Sequence, residues 1–126
     1  MSKILKITGI SLLSLIAGLG TGIFLTTSAQ SEKVFELRTY KATPGNLDNL
    51  HARFRNHTTR IFRKHGMEVV GYWSPTSEEE RADTLVYMLE HADQDTATAS
   101  WQAFIEDPEW AEVAAASNAN GQILGG

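Results

Sequence analysis

Three stretches of the chain have the alternation of apolar and polar residues that is typical of β-strands. They are residues 34–40 (VFELRTY), the stretch from Met67 to Trp73, and residues 84–91 (TLVYMLEH). In the last two, both alternating faces carry apolar or aromatic side chains. We therefore expect a sheet whose first face is covered by helices and whose second face needs another covering surface.

The segment between the first two strands has the period of an amphipathic helix. Thr43 and Pro44 predict its start, with Thr43 as the N-cap and proline at the first helical position, and Gly66 predicts its end. Its basic residues, among them Arg53, are expected to point to solvent. The stripe expected to face the core consists of Leu47, Leu50, Phe54, Thr58, Ile61 and His65.

A helical pattern returns from Asp93 onward, after the third strand. Asp107 and Pro108 predict a second helix start, as N-cap and first helical residue, and this helix should run to about Ser117. Residues 123–124 have the character of the beginning of a further strand. The apolar face of the first of these two helices is predicted to contain Ala97, Trp101, Phe104 and Ile105.

This order of elements predicts an α+β domain of the ferredoxin-like, split βαβ type. Its sheet would be antiparallel, with both helices on one face and the last strand truncated. The other face is apolar, and a second copy of the chain is the simplest cover, so we expect a homodimer. Tyr72 and Trp73 are adjacent and must point to opposite faces, so one supports the helices and the other lines the dimer interface or a pocket. The pattern leaves both assignments open.

The first 29 residues have the features of a signal peptide. Lys3 and Lys6 supply a positive start, residues 7–25 are uncharged and mostly apolar, and small residues at 27–29 offer a cleavage site. We therefore expect the domain at 30–126 to be exported, either to the periplasm or out of the cell. The alternative is that residues 7–25 remain as a membrane anchor, because their length is close to that of a bilayer span.

The composition excludes several classes of function. The chain has 126 residues and no cysteine, which excludes disulfides, thiol catalysis and cysteine-ligated metals. Beyond residue 29, nine basic residues stand against 15 acidic ones, and the resulting net charge of −6 argues against nucleic-acid binding. The sequence has no phosphate-binding loop, HExxH motif or GxSxG motif.

The most unusual polar group lies on the first strand. Glu36, Arg38 and Tyr40 share one face of it. Arg38 could hold a carboxylate or another anion while Tyr40 orients the ligand or donates a proton. The alternative is a salt bridge between Arg38 and Glu36 across strands or across a dimer, with Tyr40 packed at the interface.

The four histidines, His51, His57, His65 and His91, are the other candidates, because each could supply a base or bind a metal or haem. His51, His57 and His65 are spaced too far apart along a regular helix to chelate one ion, so we expect no metal site and no cofactor. His57 lies at the edge of the apolar stripe. It could serve as a base or ligand, or it could simply be hydrogen-bonded to backbone or carboxylate.

Four segments in sequence order resemble the NIPSNAP family. They are VFELRTYKATPGNLDNL, KHGMEVVGYW, TLVYMLEH and WQAFIEDPEWAEV, and the resemblance spans residues 33–120. It implies a ferredoxin-like fold of the dimeric α/β-barrel superfamily and carries over no set of catalytic residues. It also implies a full closing strand after Gly121, where this chain has QILGG.

The first function hypothesis is an exported homodimer that binds a small molecule or another protein. The second, implied by the wider superfamily, is an enzyme that is cofactor-free and monooxygenase-like, or that binds haem in the barrel pocket. A third is an interaction module tethered to a membrane by residues 7–25. The residues expected to bind a ligand are Arg38, Tyr40, His57, Tyr72 and Trp73. In the enzyme, His57 would be the base or ligand and Arg38 the anion clamp.

Overall fold

The computed structural model describes residues 2–6 and 32–125, and for residues 2–6 only the backbone is considered. The predicted apolar segment at 7–25 lies outside the described residues, as does the proposed cleavage site. Within the described part of the chain, no helix is long and apolar enough to cross a membrane. The strands are β1 (Ser2–Lys6), β2 (Val34–Lys41), β3 (Glu68–Trp73) and β4 (Thr84–His91). The helices are α1 (Leu47–Arg53), α2 (Thr59–Lys64), α3 (Glu78–Arg81), α4 (Gln94–Glu106) and α5 (Pro108–Ser117).

The sheet is antiparallel, with the strand order β1-β2-β4-β3. The β2-β4-β3 part has the strand order of the split βαβ fold, which confirms the predicted α+β, ferredoxin-like class. Along β2 and β4 the pairing is regular from Val34 opposite His91 to Lys41 opposite Thr84. The residues after α5 return to the end of β2, where Leu124 forms a single antiparallel bridge with Ala42. The predicted start of a closing strand is therefore in place beside β2.

The helix between β2 and β3 begins later than the sequence indicated. The prediction of Thr43 as its N-cap is wrong, because α1 starts at Leu47 and Asn46 occupies the N-cap position. Thr43 instead donates a hydrogen bond from its hydroxyl to the carbonyl of Gln122 at 2.6 Å. Gly45 has φ +77, a conformation that glycine adopts without strain, so the segment before the helix is a turn.

A π-helical turn at Phe54–Thr58 separates α1 from α2. Thr58 supports it by donating a hydrogen bond from its hydroxyl to the carbonyl of Arg53, five residues earlier, at 3.3 Å. The predicted core stripe is nevertheless confirmed, since Leu50, Phe54, Thr58 and Ile61 are all buried. The predicted end is confirmed too, because Gly66 has φ +76 just beyond the helix.

Two side chains face the opposite way from the prediction. Arg53 was expected to point to solvent but is buried, because α5 packs against this side of α1 and the ring of Trp110 lies 5.3 Å from the guanidinium carbon. Ile105 was expected in the core but is 65% exposed. It is one residue past buried Phe104, and a step of one residue rotates a side chain by about 100° around a helix.

The acidic segment after β3 contains the short helix α3. The hydroxyl of Ser77 accepts the hydrogen bond of the backbone amide of Glu80 and so caps this helix. Three glutamates fill its first turn, where negative charge is favoured by the helix dipole.

The core lies between the sheet and the helices and is rich in aromatic rings. Tyr87, in the middle of β4, is fully buried and packs against the rings of Tyr40, Phe54, Phe62 and Tyr72. Burial, followed by the neighbouring Tyr40, raises the pKa of Tyr87 far above its ordinary value. Its hydroxyl therefore stays protonated at any physiological pH.

Within residues 2–6 and 32–125, no helix lies against the other face of the sheet. Trp73 lies on this face, with its ring across Gly71, where an added Cβ would come within 2.9 Å of the ring. Tyr72 points to the helix side, where its ring contacts Phe54 and Tyr87. The structure thus shows which of these two adjacent residues faces the helices, a choice that the sequence left open. The apolar members of this open sheet face, given by strand alternation and register, are Phe35, Leu37, Val86, Met88 and Trp73.

The prediction of Asp107 as the N-cap of a second helix is confirmed, and its side chain is also the centre of a group of ion pairs. Its carboxylate accepts a hydrogen bond from the backbone amide of Glu109 at 2.8 Å. It also contacts Nζ of Lys64 at 2.7 Å and Nε2 of His65 at 2.6 Å. The contacts with Lys64 and His65 hold the pKa of Asp107 well below its ordinary value. This carboxylate therefore joins the end of α2 to the start of α5.

We expect Asp107→Ala to lower the melting temperature by about 4 to 8 °C at neutral pH, because both the helix cap and the contacts with α2 are lost. Asp107→Asn keeps the cap and loses only the charge. Since the folded-state pKa is depressed, the charge stabilises the fold fully above the unfolded-state pKa of about 3.9 and progressively less below it. The difference between wild type and Asp107→Asn should thus shrink as the pH falls from about 5 to 2, measured by circular dichroism. A constant difference would contradict this account.

Candidate functional site

The sequence-predicted site residues fall into three separate places. Arg38 and Tyr40 belong to a polar cluster under α4. Tyr72 and Trp73 border a cavity beside the π-helical turn. His57 borders a different groove, between that turn and α5. The structure therefore brings these residues together in pairs, and His57 does not share a cavity with Arg38.

The polar cluster is centred on the carboxylate of Glu36, which is buried on the helix-covered face of β2. Nη1 of Arg38 donates to Oε1 at 2.6 Å, and Nε1 of Trp101 donates to Oε2 at 2.7 Å. Nε2 of His91 lies 3.1 Å from the same Oε2. The guanidinium of Arg38 also stacks over the ring of Trp101, 4.4 Å from its centroid.

Arg38 and Glu36 do form a salt bridge, but they form it within one strand and not across strands or across a dimer as expected. Glu36 has a structural role, because its contacts join β2 to β4 and α4. A role of Arg38 and Tyr40 in ligand binding stays a prediction. Tyr40 packs edge-on against Phe54 and Tyr87, in the core. The polar cluster keeps the charges of Glu36 and Arg38 in the protein interior, where hydrogen bonds to a carboxylate are stronger than in water.

The sequence indicates His91 as one of four candidate histidines and Trp101 as part of an apolar helix face, but it pairs neither of them with Glu36. His91 is fully buried, at the end of β4. A signal for it existed, because it continues the alternation of Leu85, Tyr87 and Leu89 on the core face of β4. No local pattern could have paired Trp101 with Glu36, since that contact depends on how α4 docks on the sheet.

The aromatic cavity has a volume of about 300 Å³ and opens to the surface. It is bordered by His51, Phe54, Arg55, Tyr72, Trp73, Ser74 and Leu85. Tyr72 is fixed by a hydrogen bond between its hydroxyl and that of Thr59, and burial raises its pKa. The walls are mostly apolar, and the polar groups of His51, Arg55 and Ser74 stand at the rim. This combination suits a small, largely apolar ligand with a polar end.

The polar groove is larger, at about 600 Å³, and is also open. Amide side chains dominate its lining, which includes Asn46, Asn49, Asn56 and Asn120. His57 is exposed at this groove and makes no hydrogen bond with another described residue. Arg53 lines the same groove from a buried position. The sequence analysis placed Arg53 in solvent and therefore missed this groove.

Metal binding was not expected from the sequence. Among residues 2–6 and 32–125, the structure has no group of three or more histidine, aspartate or glutamate side chains arranged to hold an ion.

Comparison with known proteins identifies relatives of the same fold. An uncharacterised NIPSNAP-like domain protein from Burkholderia xenovorans superimposes with a TM-score of 0.61 at 18% identity, over 75% of this chain and 78% of that chain. A NIPSNAP family protein of unknown function from Agrobacterium tumefaciens gives a TM-score of 0.60 at 20% identity, over 73% and 78%. A second B. xenovorans NIPSNAP domain protein gives 0.54 at 20%, over 63% and 74%.

No curated protein matches the chain. The profile of the NIPSNAP family matches residues 35–125, a segment that runs from β2 through the Leu124 bridge and contains the polar cluster and both cavities. This chain belongs to the NIPSNAP family.

Proposed function

We propose that the domain is a homodimer that binds a small, largely apolar molecule in the aromatic cavity. The single observation that carries the proposal is the open sheet face, on which apolar residues from β2, β3 and β4 lie side by side and none of the described helices covers them. A contiguous apolar patch of this kind is typical of an interaction surface. An isologous dimer covers it without any further partner, since the same patch serves both subunits.

Trp73 links the two parts of this proposal. Its ring lies on the open sheet face, is 47% exposed, and also borders the aromatic cavity. A second subunit packed on the open face would contact the ring and complete one wall of the cavity. The π-helical turn on the other wall supports a binding role, because such turns are frequent at functional sites.

The dimer is tested by placing a charge at the centre of the open face. Met88→Lys, on the central strand β4, should weaken self-association at least about 30-fold, because a lysine would be buried against its own copy. Light scattering of the full-length chain over a range of concentrations measures the effect.

The matched control for this experiment is Ile105→Lys. Ile105 is the most exposed of the large apolar side chains in the described part of the chain, and it lies on α4, away from the open face. This variant should associate like wild type. A wild-type chain that remains monomeric, or equal dissociation in both variants, would remove the basis of the dimer proposal.

The cavity is tested with an anilinonaphthalene sulfonate dye, whose fluorescence rises on entering an apolar site. Ser74→Phe places a ring at the rim of the cavity and should weaken dye binding about tenfold by occluding it. Thr76→Phe adds the same ring two residues later, outside the cavity lining, and should bind dye like wild type. If both variants lose the dye equally, or neither does, the ligand does not use this cavity.

Export forms the last part of the proposal and rests on the charge and hydropathy pattern of the first 29 residues. Intact mass spectrometry of the chain recovered from its own host should give a product that begins near Gln30. A product that retains residues 7–25 would instead support the tethered interaction module.

A further inference from the structure

Arg53 is a buried cation without a counter-charge among the described residues. The residue is only 6% exposed, yet no carboxylate of residues 32–125 forms an ion pair with it. One Nη donates to the hydroxyl of Ser117 at 3.2 Å, and Nε is buried with no acceptor. Trp110 covers the guanidinium from one side. Burial lowers the pKa of Arg53, as expected for a cation removed from water.

Buried charges in folded proteins are almost always paired, because desolvating an ion is costly when nothing compensates it. Arg53 also borders a second, smaller space of about 50 Å³ beside Tyr40 and Trp110. A water there would satisfy Nε, but it would supply no charge. Glu112 lines the polar groove as well, but its side chain is exposed and is not paired with Arg53. The counter-charge is therefore expected to come from outside the described residues.

The polar groove provides the route by which such a partner would reach Arg53. Its amide side chains can donate and accept hydrogen bonds, which suits hydroxyl or amide groups on a ligand. The one carboxylate in its lining, Glu112, disfavours an approaching dianion such as phosphate. A single guanidinium matches the planar carboxylate group of a monoanion.

We propose that the polar groove binds the carboxylate of a small, polar organic acid, with Arg53 as the counter-charge and His57 at the rim. This site is separate from the aromatic cavity and does not depend on dimerisation. The same groove contains His57, which the sequence predicted to bind a ligand, together with the buried cation of Arg53. It also explains why Arg53 is held in the interior, although basic residues at neighbouring positions of the helix are in solvent.

The test uses acetate as the probe, because acetate is the carboxylate alone. The full-length ¹⁵N-labelled chain is titrated at constant ionic strength against chloride, and the backbone amide resonances of Asn56 and Ser117 are followed by NMR. Acetate should shift them saturably with a dissociation constant on the order of 10 mM. Acetamide has the same shape without the charge and should leave them unchanged.

Two variants separate binding from folding. Arg53→Met keeps an unbranched side chain under Trp110 and removes the charge, so it should melt at the same or a higher temperature than wild type and lose the response to acetate. Arg55→Met removes an exposed arginine from the same π-helical turn and should retain the response. A response to acetate that persists in Arg53→Met, an equal response to acetamide, or no saturable shift up to about 100 mM acetate would overturn the proposal.

Discussion

The carboxylate of Glu36 is the interaction on which the arrangement of this domain depends. It is bonded to Arg38 in its own strand, to His91 at the end of β4 and to Trp101 in α4. These contacts fix both the register of the β2–β4 pair and the position of α4 over the sheet. A polar centre of this kind specifies one packing more strictly than apolar contacts do, because a shifted helix would leave a buried charge unpaired.

The π-helical turn determines how the first long helix serves two surfaces. An insertion of this kind changes the rotation of the side chains that follow it, so residues before and after the turn face different neighbours. Phe54 thereby points to the core and the aromatic cavity, while His57 borders the polar groove. One continuous helical segment thus forms a wall of both openings, and β3 and α5 supply the opposite walls.

The sequence predicted those parts of the structure that depend on local periodicity and local caps. Strand β4 matches its predicted bounds, Gly66 ends the first helix, and Asp107 caps α5. The predicted start of α1 is wrong because the hydroxyl of Thr43 bonds to the carbonyl of residue 122 instead of capping the helix. Only the folded chain brings residue 122 close to Thr43.

The candidate site residues were harder to predict for the same reason, namely that their contacts join residues distant in the sequence. Arg53 bonds to Ser117 and Trp101 bonds to Glu36, and in each case the partner is more than 50 positions away in the sequence. A basic residue at the edge of an amphipathic helix has the same local signature whether it meets water or another helix. The shared face of Glu36, Arg38 and Tyr40 was predictable from the period of a strand, but its burial by α4 was not.

The irregularity between Val69 and Gly71 has a consequence for how molecules of this protein can meet. Strand β3 forms one lateral border of the sheet, and regular borders invite further strands to add on, which leads to open-ended growth. A bulge interrupts the ladder and increases the local twist, so an incoming strand cannot follow it for more than a few residues. An assembly formed by pairing two sheet faces stops at the dimer, whereas an assembly formed by adding strands to a sheet edge can continue to grow. The bulge thus favours closed assemblies over fibrils.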